Sequence, residues 1–219
     1  MSIKLVNQPR VESILDREGL DGLVVVNPIN FYYFSGYWGF FNTPTGFDGS
    51  YFSVLPRDSD KKPSMVIPAL EIRRIETKGR PWIKDIFSYT SDGDGSSFDD
   101  NSPKGMDYEG WPINQTAKLT QREKNWKKIV EDFKDSYNEN SFQALVRAIK
   151  SSHLDGKKIL IDDLRIERWL EKEKKLNIEC IYKPHLFNEM RMVKTENEIK
   201  ILKKAAIINE EAMLSSINF

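Results

Sequence analysis

Apolar and polar positions along this chain fall into blocks that switch between helical and strand periods. Val11, Ile14, Leu15 and Leu20 recur at helical spacing and predict an opening helix that ends at Gly19, a natural residue just past a helix end. Gly22-Leu23-Val24-Val25-Val26 is an unbroken apolar, β-branched run, the pattern of an interior strand. Asn27-Pro28 ends it and puts Pro28 in the first turn of a short helix. Residues 51–55 and 64–67 read as strands joined across the polar turn 56–63, a hairpin-like pair. Residues 71–77 read as a charged helix and 82–87 as a fourth strand.

Residues 91–117 break this rhythm. Gly93, Gly95 and Gly105 stand among Asp, Ser and Asn without periodicity, which predicts a long loop or lid, partly packed down through Phe98, Tyr108 and Trp111. Regular structure resumes with a helix over 120–134, capped by Thr120 with Glu123 in the capping-box position. A second helix, 141–151, carries Phe142, Leu145, Val146 and Ile149 on one side. Gly156 stops the chain, 157–161 is a strand, and Asp163 caps a helix to 175 with Leu164, Trp169 and Leu170 as core contacts. Residues 178–182 form the last strand. Strands alternating with helices, plus one hairpin, give an α/β domain with a mixed sheet.

The final thirty residues carry a different message. Thr195 and Glu198 form a capping box for a helix running to Phe219. Ile199, Leu202, Ala206 and Met213 recur along it, and Ile201, Ala205, Ile208 and Ala212 widen the apolar side. A side that broad needs a partner to bury it. The expectation is a domain over residues 1–190, with 191–219 as the junction and first helix of a second domain absent from this sequence.

Composition excludes several classes. Lys plus Arg equals Asp plus Glu, 33 each, in 219 residues. Residues 1–117 carry 12 basic and 16 acidic side chains and the remainder 21 and 17, so −4 faces +4. That asymmetry is too mild for a nucleic-acid partner. No apolar run approaches the ~20 residues of a membrane span, and Met1-Ser2-Ile3-Lys4 opens no signal-peptide core. The default is a cytoplasmic protein with no membrane partner. The single cysteine, Cys180, excludes an internal disulfide and a cysteine-based zinc site, and alternates with Ile178 as a buried strand residue.

Candidate chemistry is sparse. His153, at a helix end, and His185, just before the last helices, lack a second ligand at helical spacing and read as structural or surface residues. Asp92-Gly93-Asp94-Gly95-Ser96 fails the calcium-loop template, with Ser97 and Pro103 where Gly and Glu are required, and reads as a solvated acidic loop. No Gly-x-Ser-x-Gly elbow and no phosphate-cradling Gly-rich loop occur. One segment is unusual: residues 30–42 hold eight aromatics in thirteen positions. Phe31, Tyr32 and Phe34 can plug the core beside the first strand. Tyr37, Trp38, Phe40 and Phe41, with Asn42, on a stretch broken by Gly36 and Gly39, suit either plain packing or an interface or pocket rim.

Residues 19–37, GLDGLVVVNPINFYYFSGY, resemble the opening of the N-terminal domain of the creatinase/prolidase/aminopeptidase P family: a Gly-Asp-hydrophobic strand followed by an Asn-x-x-Tyr-x-x-Gly-aromatic turn. Arg191, Lys194, Glu198 and Ile199 resemble that family's junction into its catalytic domain. The two motifs lie at the ends of a domain of the expected size, and 91–117 looks like an expansion. The resemblance implies a ribonuclease-H-like α/β fold, a non-catalytic role, dimer contacts, and a loop after the first strand that restricts substrate access, here residues 37–42. It implies a parent hydrolase of the Xaa-Pro dipeptidase or aminopeptidase kind, acting on a peptide or small amide. Two divalent metals (Mn, Co or Zn), held by two aspartates, a histidine and two glutamates, would lie beyond Phe219, so no catalytic or metal residue is assigned here. Creatinase-like relatives use an arginine of the access loop against substrate. None occurs here between the aromatic run and Arg57, which argues against creatine. The alternatives are a stand-alone binding or dimerisation module, the N-terminal domain of a creatinase-like amidinohydrolase, and, last, a small enzyme built on Asp92–Asp100 and His185.

Overall fold

Strand β1 (Gly22–Val25) lies inside a sheet because its side chains are apolar on both faces. The structure, a computed structural model, describes residues 4–40, 51–72, 74–75, 81–91, 118–172 and 176–217. The further strands are β2 (Phe52–Pro56), β3 (Ser64–Pro68), β4 (Asp85–Ser91), β5 (Tyr137–Asn140), β6 (Lys158–Ile161) and β7 (Glu179–Tyr182). Among the described residues they form one seven-stranded sheet in the order β5-β4-β3-β2-β1-β6-β7. Strand β2 runs antiparallel to β1 and β3, and every other neighbouring pair is parallel. The register sets Leu23 opposite Leu55 and Leu160, so the β-branched and leucine-rich strands share the centre.

Helices cover both faces. Helix α1 (Gln8–Arg17) begins where Asn7 Oδ1 accepts the Arg10 N–H, and the chain leaves it through Gly19 at φ +65°. Helices α2 (Pro28–Ser35), α3 (Gln121–Phe133) and α4 (Ser141–Ser151) follow, then α5 (Leu164–Lys172), α6 (Pro184–Met192) and α7 (Glu196–Ile217). Period-two alternation divides the core. Leu23, Val25, Leu55, Met65 and Ile67 face α1, α2 and α6 residues such as Leu15, Phe34 and Phe187. Val24, Val54, Val66 and Ile161 face Leu145 and Ile149 of α4 and Ile166 of α5. Each such side chain, fully buried, contributes roughly 1.5–3 kcal/mol.

The predicted mixed α/β sheet is present, with local corrections. Strand β4 begins at Asp85, not 82. Trp82 and Ile83 precede it and are apolar for another reason: Ile83 is buried in the α1/α2 cluster, and the Trp82 indole donates to Phe34 O at 3.0 Å. Strand β5 was not expected, since Tyr-Asn-Glu-Asn has no apolar period. Among the described residues it pairs only with β4, where Asn138 Nδ2 also donates to Ser88 O at 3.1 Å. The expected charged helix follows a 3₁₀ turn over Ala69–Glu71 and is present at Ile72, Arg74 and Ile75, while residues 73, 76 and 77 lie outside the described residues. Capping at Thr120 and Glu123 is as expected, with both reciprocal bonds formed. So is the box at the last helix: Thr195 N–H donates to Glu198 Oε2 at 2.8 Å, and Glu198 N–H to Thr195 Oγ1 at 3.2 Å. Helix α7 leaves the body, and none of its described residues is buried. The predicted loop 91–117, the acidic run within it, and residues 173–175 of the expected α5 lie outside the described residues, save Ser91 at the end of β4.

Candidate functional site

The aromatic segment is organised by a carboxylate. Helix α2 starts with Asn27 Oδ1 accepting the Ile29 N–H and Pro28 in its first turn, and stops at Gly36. Gly36 sits at φ +68°, a left-handed conformation that a side chain would strain, and its N–H donates to Tyr32 O at 2.8 Å. Phe31, Tyr33 and Phe34 are buried, whereas Tyr32 is half-buried and meets Trp38 edge-on at 5.4 Å. The core plug is therefore Phe31, Tyr33 and Phe34, with Tyr32 at its margin.

After Gly36 the chain turns inward. Tyr37 is only 3% exposed, and its hydroxyl donates to Glu71 Oε2 at 2.6 Å. Glu71 is fully buried, and its Oε1 accepts the Tyr51 hydroxyl at 2.7 Å and the Phe40 N–H at 2.5 Å. Arg74 Nε lies 3.6 Å from Oε2. Burial and the neighbouring carboxylate push the Tyr37 pKa well above the ordinary phenol range. Gly39 passes against the Tyr51 ring so closely that a methyl group there would overlap it. With Tyr37 and the Phe40 amide held, the Phe40 side chain turns out: it is 61% exposed and carries the Arg74 guanidinium over its ring at 4.8 Å. Of the predicted access-loop residues, Tyr37 is an inward anchor, Trp38 is half-buried and Phe40 is displayed. Phe41 and Asn42 lie outside the described residues. Glu71 was missed because a glutamate in a charged stretch reads as solvated. Its position between apolar Ala69-Leu70 and Ile72 was the available signal.

The residues of the expected junction gather at a crevice. Arg191, Lys194 and Glu198 line a cavity of about 420 Å³ with Leu5, Ile29, Tyr32, Tyr33, Asn188 and Met192. Thr195 Oγ1 donates to Leu5 O at 3.3 Å, and Asn7 Nδ2 to Val193 O at 3.4 Å, so the α6–α7 turn is tied to the segment before α1. The Tyr33 hydroxyl accepts the Asn7 N–H at 3.1 Å and donates to Met190 O at 3.3 Å. Beneath, Asp162 follows β6 and accepts from Val26 N–H (2.9 Å), Asn27 N–H (3.1 Å) and Asn30 Nδ2 (2.9 Å). Burial pushes its carboxyl up to about 6 despite those donors. Sequence reading did not single out Asp162, and it took Asn30 only as the first residue of the Asn-x-x-Tyr-x-x-Gly-aromatic turn; the two lie 132 positions apart and meet through the β1–β6 pairing.

The remaining candidates stay apart. His153 follows the end of α4 in the left-handed conformation at φ +56°, and His185 lies in the first turn of α6; both are exposed. Cys180 is half-buried on β7, where burial pushes its thiol up to about 12, away from nucleophilic use. Among the described residues no three His, Cys, Asp or Glu side chains gather to hold a metal ion. No described helix is long and apolar enough to cross a membrane.

Known structures share this fold. An Xaa-Pro dipeptidase from Bacillus anthracis superposes with a TM-score of 0.53 at 16% identity, covering 97% of this chain and 42% of that one. A dipeptidase from Pyrococcus horikoshii OT3 gives 0.53 at 15% identity, covering 97% and 44%. At that identity the likeness is one of fold, and this chain spans less than half the length of either. No curated protein sequence matches the chain. The profile of the creatinase/prolidase N-terminal domain family matches residues 9–193, from α1 to the end of α6, and the chain belongs to that family.

Proposed function

We infer that this chain is the non-catalytic N-terminal domain of a larger Xaa-Pro-peptidase-type hydrolase, where it contributes dimer contacts and narrows the path of a peptide or small amide substrate. The observation that carries the reading is the Glu71 anchor. It fixes Tyr37 and the Phe40 backbone, so that an aromatic side chain is held outward at no cost in loop ordering on contact. Residues 191–219 are the junction and first helix of the following domain, and the exposed apolar side of α7 is the surface that domain covers. Two divalent metal ions of the Mn, Co or Zn kind belong to that domain. The protein is cytoplasmic.

The test is enzymatic and hydrodynamic. The purified chain with Mn²⁺ and an Ala-Pro dipeptide should release no proline. Metal-dependent release that a chelator abolishes would overturn the reading. Sedimentation at high concentration should show a dimer that Phe40→Asp weakens, and a strictly monomeric mass would remove the dimer role.

A further inference from the structure

The crevice at the α6–α7 turn has a charge arrangement that does not cancel. Lys194 Nζ lies 4.0 Å from Glu198 Oε1 and also donates to Arg191 O, so those two charges are committed to each other and to the turn. Arg191 forms no ion pair among the described residues; its guanidinium Nη2 donates to the neutral Asn188 Oδ1 at 2.6 Å. It is half-buried, and desolvation pulls its pKa down, while Tyr33 and Asp162 act in the opposite sense. A partly desolvated guanidinium with one neutral partner has donors left for a planar oxyanion, which it can grip in bidentate fashion.

The walls add a second requirement. Ile29 and the rings of Tyr32 and Tyr33 line the same cavity, and its volume of about 420 Å³ suits a small molecule rather than a lone ion. The Tyr32 hydroxyl makes no hydrogen bond among the described residues and is available as a further donor. We propose that this crevice binds a small organic monocarboxylate with an apolar body, its carboxylate held by Arg191 and its body laid against Ile29, Tyr32 and Tyr33. A free acid and the C-terminus of a short peptide share that chemistry. The site is separate from the Glu71 anchor and goes beyond the proposed access role.

The experiment titrates the whole chain with phenylacetate, with acetyl-Ala-Phe bearing a free carboxylate, with benzyl alcohol and with sulfate, read by calorimetry and by the Arg191 guanidinium Nε–H signal. Phenylacetate or the peptide should saturate with a Kd of about 1 mM or tighter, the range open to a ligand of this size. The tighter of the two names the source of the carboxylate. Arg191→Gln should weaken binding at least ~10-fold, a loss in keeping with a charged hydrogen bond. Arg191 contributes to the turn, so Ile29→Glu, at an exposed position in the first turn of α2, provides a second variant; its like charge should abolish binding while thermal unfolding stays unchanged. Absence of saturation by both acids would overturn the proposal, as would undiminished binding by Ile29→Glu. Equal affinity for benzyl alcohol or sulfate would overturn it too, because the site would then read only body or only charge.

Discussion

The Tyr37 hydroxyl and the buried Glu71 carboxylate meet at 2.6 Å, 34 positions apart in sequence, and this bond decides which aromatics of the loop face the core. Glu71 also holds the Tyr51 hydroxyl and the Phe40 N–H. Tyr37→Phe should lower stability by about 1.5–3 kcal/mol, the usual worth of a hydrogen bond to a charged group. Glu71→Ala should lower it further, by roughly 3–5 kcal/mol, since it removes from the core the acceptor shared by two hydroxyls and an amide and the carboxylate beside Arg74. Urea unfolding measures both. A loss below about 0.5 kcal/mol for Glu71→Ala, the range of neutral surface changes, would mean that the carboxylate is not the anchor.

Gly22 and Gly39 should respond unequally to alanine. A methyl group at Gly22 would lie 2.6 Å from the Leu55 carbonyl oxygen and 2.9 Å from Leu154, and the carbonyl belongs to the β1–β2 ladder. At Gly39 it would meet the Tyr51 ring, a side chain that can tilt. Overpacking typically costs 1–3 kcal/mol, and Gly22→Ala should lie at the top of that range or beyond it. Thermal unfolding of the two variants tests the order. Gly39→Ala should also perturb the Tyr51 bond to Glu71, visible as a shift of the Tyr51 ring resonances.

Asp162 makes stability fall as pH rises. Its carboxyl titrates near 6 in the fold against an ordinary value of 3.8, so between these values the folded state keeps a proton that the unfolded chain has lost. Stability contributed by that proton is present below about pH 4 and is lost as pH rises through about 6, up to ~3 kcal/mol across the window. Glu18, Glu189 and Asp163 have lowered values and act with the opposite sign, losing stability as pH falls. The difference between the wild type and Asp162→Asn therefore isolates the effect. If that difference is flat from pH 4 to 6, or if carbon NMR places the Asp162 carboxyl near 4, the account fails.

The apolar side of α7 should contribute to association and not to the stability of the body. Leu202, Ile208 and Met213 are more than half exposed. Replacing Ile208 and Met213 by Glu should shift unfolding by no more than about 0.5 kcal/mol each while reducing self-association in sedimentation. A marked loss of stability would show that the helix packs on its own body.

Much of the fold was legible because it rests on local patterns. The unbroken 22–26 run could only be an interior strand, and β1 is one, between β2 and β6. Thr120/Glu123 and Thr195/Glu198 announced their helices through capping geometry that needs four consecutive residues and nothing else. Strand β5 was illegible for the complementary reason: its polar residues are recruited by the free edge of β4. Trp82 and Ile83 mimicked a strand because a buried turn needs apolar residues as much as a strand does.

The site divides the same way. The sequence by itself determined the α/β class, the dense aromatic segment and the capped final helix, because periodicity and capping are short-range properties of a chain. Only the tertiary structure decided that Tyr37 turns in while Phe40 turns out, and that Asp162 sits beneath α2. It alone assembled Arg191, Lys194 and Glu198 around one crevice with Ile29 and Tyr32. Those outcomes depend on which strands become neighbours. A buried carboxylate such as Glu71 finds its three donors only once the sheet has brought residues 37, 40 and 51 to one place.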